Sequence, residues 1–219
     1  MTHKFYFIRH AESEGNLRPD VIGGQSNHLA ITPRGVQQAR ALGQRLLQEG
    51  ISFTQVWAST ARRAQETAFL FCEILGFPQS QIQYSPALLE LSQGEWEGQA
   101  RAEKYNEATM QRLREDVWNF KAPGGESQKE VEDRMVGFLE QLHTKIKEEE
   151  ARIAIVSHGL AIRCLLRGLL NFDPPMTYRT LTENTSITQV NHYANGWGLV
   201  RINDAAHLAE TGSLEQDFR

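Results

Sequence analysis

The sequence predicts one α/β domain over residues 1–219, a three-layer α/β/α sandwich with a mostly parallel sheet, an antiparallel edge and a helical lid insertion at about 95–127. Three observations carry this reading. Short runs suited to buried strands, at residues 4–8, 55–59 and 153–157, alternate with segments of helical periodicity. The run Ile153-Ala-Ile-Val-Ser is apolar without alternation, as in a parallel strand covered on both faces. Near the C-terminus, Asn195-Gly196 separates residues 187–193 from 197–202, the signal of a type I′ hairpin and hence of an antiparallel edge.

In chain order, residues 4–8 are aromatic and β-branched and stop at Arg9-His10, where a polar loop over 11–31 begins. Thr32-Pro33 supplies a cap and an N1 proline, and Val36, Ala39, Leu42, Leu46 and Leu47 recur at helical spacing until Gly50. Residues 55–59 form the second strand and 61–75 the second helix, stopped by Gly76 and Pro78. Residues 81–89 fit either state and lead Glu90 into the turn-rich stretch that ends at Gly98. A polar helix follows over 101–118, broken by Ala122-Pro-Gly-Gly-Glu. Ser127-Gln-Lys-Glu130 is a capping box, and Val131, Met135, Phe138, Leu139, Leu142 and Ile146 give the next helix one apolar face. Beyond the strand at 153–157, His158-Gly159 opens a helix over 160–170 and repeats the placement of His10.

With 40% hydrophobic residues the chain can fill a core, and 23 Lys+Arg against 27 Asp+Glu give a net charge of -4. That balance makes no electrostatic case for binding nucleic acid or an anionic membrane, so any anion site is local. No apolar run approaches the roughly 18 residues of a membrane span. The first ten residues lack the apolar core of a signal peptide, and the expectation is a cytoplasmic protein. Cys72 and Cys164 sit in helical apolar patterns and read as buried thiols, not a disulfide or a metal cluster.

Ligands of open parallel sheets bind beyond the carboxyl ends of the strands. Arg9-His10, Arg63, Glu90 and His158-Gly159 all fall at such ends, with Ser13, Asn16 and Gln25 on the polar loop beside the first histidine. Two imidazoles, two guanidiniums and a carboxylate suit transfer of a phosphoryl group. Guanidiniums bind its oxygens, a neutral imidazole attacks phosphorus, and a carboxylic acid protonates the leaving oxygen. Each residue alone has an ordinary structural explanation; their convergence points to chemistry. His3, His28, His143, His192 and His207 show no ligand spacing and read as structural, so neither a metal nor another cofactor is expected.

The same residues stand in ordered blocks that resemble the histidine phosphatase superfamily, in its phosphoglycerate mutase-like branch. Phe5-Tyr-Phe-Ile-Arg-His-Ala-Glu-Ser-Glu-Gly-Asn16 is similar to that family's Arg-His-Gly-Glu-(Ser/Thr)-x-x-Asn signature. The segments Leu29 to Ala39, Ser59 to Thr67, Leu89 to Gly98, Pro123 to Ser127 and Val156 to Gly159 follow in the family's order. The resemblance implies that His10 becomes phosphorylated, that Arg9, Arg63 and His158 form the phosphate pocket with help from Asn16, and that Glu90 is the proton donor, without a metal. Ser13, Gln25 and Gly159 complete the expected phosphate-binding set. Ala11 stands where the family usually has Gly, which asks whether that turn needs a positive φ. Arg62 adjoins Arg63, and the Arg-Ala-x-x-Thr register favours Arg63.

The expected function is hydrolysis of a small phosphate ester through a phosphohistidine, with a protonated His158 beside the phosphate. The alternative is a cofactor-dependent phosphoglycerate mutase, in which Arg101, Lys104, Arg112 and Arg114 would hold a second anionic end. A catalytically inactive binding protein on the same fold is the third reading, and the intact residue set argues against it. Should Glu90 not be the acid, Glu12, Glu95 and Glu97 are next in line; a homodimer is left open.

Overall fold

Strands with apolar side chains on both faces need two helical layers, and the computed structural model, which describes residues 2–211, has them. Thr2–Arg9 (β1), Gln55–Ser59 (β2), Ile82–Ser85 (β3) and Glu150–Ser157 (β4) run parallel in the order β3-β2-β4-β1. Ile187–Tyr193 (β5) and Gly196–Asp204 (β6) extend the sheet beside β1 as an antiparallel pair. The helices are Pro33–Gln48 (α1), Arg62–Leu75 (α2), Arg101–Lys104 (α3), Glu107–Glu115 (α4), Gln128–Lys145 (α5), Gly159–Leu170 (α6) and Met176–Arg179 (α7).

Alternation along β1 distributes the layers. Tyr6 and Ile8 join the cluster built with Leu42 and Leu46 of α1 and Ala68 and Phe71 of α2. Phe5 and Phe7 face Met135 and Leu139 of α5 and Ile162 and Leu165 of α6. Phe5, Phe7 and Ile8 are at most 1% exposed, and each such side chain contributes roughly 1.5–3 kcal/mol relative to an exposed one. Helix starts are fixed by the caps read from the sequence. Thr32 Oγ1 accepts from Gly35 N–H at 3.0 Å, and both halves of the Ser127/Glu130 capping box form. No helix of the described residues is long and apolar enough to cross a membrane. Cys72 and Cys164 are buried and unbonded to one another, and burial pushes both thiols up to about 12.

One open reading is resolved and two local expectations are corrected. The ambiguous stretch is strand β3 followed by a single 3-10 turn, Pro86–Leu88, started by Pro86 and capped by Ser85 Oγ, which accepts from Ala87 N–H at 3.2 Å. The helix expected over 101–118 is two helices, because Asn106 offers a better start than a middle. Its Oδ1 accepts from Thr109 N–H at 3.1 Å and begins α4. The hairpin turn lies over Ala194 and Asn195, with Tyr193 paired to Gly196. Neither turn residue has positive φ, so it is not type I′; only Gly196, at φ +114°, takes that conformation.

Candidate active site

Parallel pairing sets Arg9 opposite Ser157, so the next residues, His10 and His158, leave adjacent strand ends together with ring centroids 5.0 Å apart. Both rings are buried. Burial first, and then the Arg63 charge, hold both imidazoles well below the usual histidine value, so both are neutral. His10 Nδ1 donates to the Ala11 carbonyl at 2.7 Å, which leaves Nε2 with its lone pair. Arg63 Nε donates to that Nε2 at 3.2 Å. The Arg63 Nη2 group lies 3.1 Å from His158 Nδ1, which puts the His158 proton on Nε2, 2.9 Å from Ser59 Oγ. The imidazolium expected at His158 is therefore absent, since full burial among guanidiniums disfavours a third positive charge.

Arg63 is the hub of this arrangement. Its Nη1 donates to the carbonyls of Gln25 and Ser26 at 2.9 and 3.1 Å, and burial lowers its pKa to about 10. Arg62, one residue earlier, is exposed and pairs with Glu66 at 2.7 Å, so of the two arginines it is Arg63 that the fold places against His10 and His158. Thr67 explains the rest of that motif: its Oγ1 accepts from Ala11 N–H at 3.0 Å and donates to the Arg63 carbonyl at 2.6 Å. Ala11 is fully buried at negative φ, so its turn does not call for glycine.

Glu90 is held at the N-terminus of α6. Its two carboxylate oxygens accept from Leu160 and Ala161 N–H at 3.0 Å each and from Leu91 N–H at 2.8 Å. Its carbonyl accepts from Arg134 Nη2 at 3.0 Å and Gln25 Nε2 at 3.2 Å. Of the other acidic candidates, Glu95 is exposed and outside the cavity beside His10, and two are occupied elsewhere. Glu97 accepts from the N–H groups of Gln25, Ser26 and Gln93 and so pins the 23–26 loop. Gly24, at φ +53°, passes so close to Glu97 that a Cβ would overlap its carboxylate. Glu12 accepts from Thr32 Oγ1 at 2.6 Å and faces Arg34.

A cavity of about 650 Å3 opens at this end of the sheet, lined by Arg9, His10, Ser13, Asn16, Arg63, Glu90 and Gly159 among others. Glu90 is the one carboxylate lining it among the described residues. Asn16 spends Oδ1 on the N–H and hydroxyl of Ser13, leaving Nδ2 as its donor toward the cavity. Gly159 N–H lies in the first turn of α6, without an intrahelical acceptor. Two expected phosphate ligands are not in the lining. His158 lies beneath His10 and Arg63, and Gln25 turns its amide to the Glu90 carbonyl. Arg18, Arg163 and Thr182 line the cavity although no expected set contains them, and Arg101, named for the mutase alternative, lines it too. Arg163 had a usable signal, four residues after Gly159 on one helix; its Nε donates to the Gly159 carbonyl at 3.2 Å. Thr182 had none. Among the described residues, no group of three or more His, Cys, Asp or Glu side chains is placed to hold a metal ion.

A sequence profile described as the histidine phosphatase superfamily, branch 1, matches residues 5–205. The chain belongs to this superfamily. Within it, the chain is 32% identical to a probable phosphoglycerate mutase, GpmB, of Erwinia tasmaniensis over 214 residues, 94% of this chain and 95% of that one. It is 27% identical to a broad-specificity phosphatase of Saccharomyces cerevisiae, over 99% of this chain and 92% of the relative. A variant of phosphoserine phosphatase from Entamoeba histolytica in complex with phosphoserine superposes with a TM-score of 0.80 at 26% identity, covering 94% of this chain and 99% of that one. The six-stranded mixed sheet, parallel except for its β5–β6 side, is thus the histidine phosphatase fold.

Proposed function

We propose that the chain is a metal-independent phosphomonoester hydrolase that works through a phosphohistidine on His10. One observation carries this reading: a neutral imidazole, its tautomer fixed by the Ala11 carbonyl, presents Nε2 to a cavity that also holds Arg9, Arg63 and a single carboxylate, Glu90. The phosphoryl oxygens lie against Arg9, Arg63, Asn16 Nδ2 and Gly159 N–H, which stabilise the charge spread over them in the transition state. The Arg63 Nε bond to His10 Nε2 is given up as that guanidinium turns its donors to the phosphate. His10 Nε2 then forms the N–P bond while the bond to the leaving alcohol breaks, and protonated Glu90 gives its proton to the departing oxygen. In the second half, water attacks the phosphohistidine, Glu90 takes a proton from it, and inorganic phosphate leaves with His10 restored. His158, neutral and in contact with Arg63, orients the guanidinium and carries no charge to the phosphate.

The mutase reading has the GpmB-type relatives in its favour. Against it, of the basic residues available in the insertion only Arg101 lines the cavity. Arg112 lies over the Phe120 ring at 5.4 Å and Arg114 pairs with Glu107 at 2.6 Å. A panel of phosphate esters, with EDTA present and with or without 2,3-bisphosphoglycerate, separates the readings. Phosphate release that EDTA and the bisphosphate leave unchanged is expected. Isomerisation of phosphoglycerate that depends on the bisphosphate would establish the mutase, and activity restored only by added Mg2+ or Mn2+ would overturn the mechanism.

The lowered His10 pKa has a kinetic sign. The nucleophile must be unprotonated, and a depressed value keeps it so further into acid. The acidic limb of kcat/KM, which reports groups of the free enzyme, is therefore expected below 6.5, the ordinary histidine value. A limb assigned to His10 by its loss in a variant, yet lying above that value, would contradict the burial argument.

A further inference from the structure

A C-terminal segment outside every motif grips the two residues that end β1. Residues 182–186 lead from α7 into β5. Asn184 Nδ2 donates to the His10 carbonyl at 2.9 Å, Thr185 N–H to the Arg9 carbonyl at 3.0 Å, and Arg9 N–H to the Ser186 carbonyl at 3.3 Å. The Arg9 guanidinium itself donates through Nη1 to the Thr182 carbonyl at 2.7 Å. One loop thus fixes the backbone of both residues and the side chain of one.

Thr185 is the strained member of this loop. Its φ of +57° lies in the left-handed region, a genuine outlier for a β-branched residue, where Gly or Asn would sit more easily. What threonine brings is Oγ1, which donates to the Asn184 carbonyl at 2.7 Å and lies 2.9 Å from His207 Nε2. With the hydroxyl proton spent on Asn184, the His207 Nε2–H is the donor in that contact. The other ring nitrogen, Nδ1, is buried without a hydrogen-bond partner, which suits a bare lone pair and not an N–H. Burial, then the Arg45 charge, push His207 down to about 4 against the opposing charges of Asp204 and Glu49, so the ring stays a neutral donor. An observed outlier held by a defined partner is the kind of strain that marks function.

We propose that His207 is a positioning residue for phosphoryl transfer, holding through Thr185 Oγ1 the loop that sets Arg9 and His10. The inference rests on the reading of His10 as nucleophile and Arg9 as phosphate ligand. His207→Leu and Thr185→Val remove the bond while filling similar space; His207→Gln and Thr185→Ser keep a donor and a hydroxyl. The measurements are kcat and KM for p-nitrophenyl phosphate, the Kd of inorganic phosphate by calorimetry, and Tm, all assayed well below melting. The Leu and Val variants are expected to lose about 10- to 10²-fold in kcat, the range that slight misplacement of reacting groups produces, and to bind phosphate more weakly. The Gln and Ser variants are expected to recover most of that loss, and the Leu/Val double variant to fall no further than the Val single, which already removes the His207 bond together with that to Asn184. A His207→Leu protein that melts lower yet keeps wild-type kcat and Kd overturns the inference, as does a Gln variant that falls as far as Leu. A wild-type protein that neither hydrolyses esters nor binds phosphate would instead overturn the reading of the site, and this inference with it.

Discussion

His10→Ala is expected to abolish turnover of every phosphate ester and to remove acid-labile, base-stable label transferred to the protein from a radiolabelled substrate. The loss is specific to the ring. His10 N–H donates to the Ser157 carbonyl at 2.9 Å and its carbonyl accepts from Asn184, and alanine keeps both bonds. Arg63 loses one acceptor but retains the Gln25 and Ser26 carbonyls. The variant should therefore fold and bind inorganic phosphate. His158 does not substitute, because its Nε2 carries the proton shared with Ser59 and its ring is fully buried. Label persisting in His10→Ala would place the nucleophile elsewhere and sink the mechanism.

Glu90→Gln is expected to lower kcat by about 10² to 10⁴ for glycerol phosphate, the range of general acid–base catalysis. KM should change little, since the missing proton matters only as the P–O bond breaks. The structure adds a complication. Both Glu90 oxygens accept N–H bonds from α6, so one face of a glutamine amide meets a donor with a donor. That mismatch costs roughly 1–3 kcal/mol if the N–H is left unsatisfied, and Tm must be read beside the kinetics. Leaving-group dependence isolates the chemistry. With p-nitrophenyl phosphate the phenolate departs without a proton, and the burst rate, which reports formation of the phosphohistidine, should fall far less than with glycerol phosphate. An equal fall for both esters would show that Glu90 serves only to cap α6.

The sequence was most legible where the chemistry is local. Arg9-His10 and His158-Gly159 each lie at the end of an apolar run, so their placement at adjacent strand ends follows from periodicity and from the rule for open sheets. Thr32, Ser127 and Gly76 mark helix ends by backbone chemistry that does not depend on the fold. What escaped is what only tertiary packing decides. Gln25 looks like a phosphate ligand in a polar loop, yet its side chain is taken by the Glu90 carbonyl, 65 positions away. The charge of His158 depends on burial beside Arg63, and Thr182, Thr185 and His207 are tied to the site by hydrogen bonds between distant loops that leave no motif. The break at Asn106 is hidden for a different reason: it is one polar residue inside a helical pattern over 101–118, and the backbone uses it as a start.

The pairing of β1 with β4 and β5 bears on how the molecule comes together. Arg9 meets Ser157 across about 150 residues of chain, and Ile8 meets Ile187 across still more. Contacts of such sequence separation require large loops to close before any reward, which makes them late and slow. The helices α1 and α2, whose contacts are local, have no such wait. On the ribosome, β1 emerges before both strands that flank it and stays without either neighbour until they have been made. The strand end that carries Arg9, and His10 just beyond it, therefore gains its surroundings only after β4 and β5 exist.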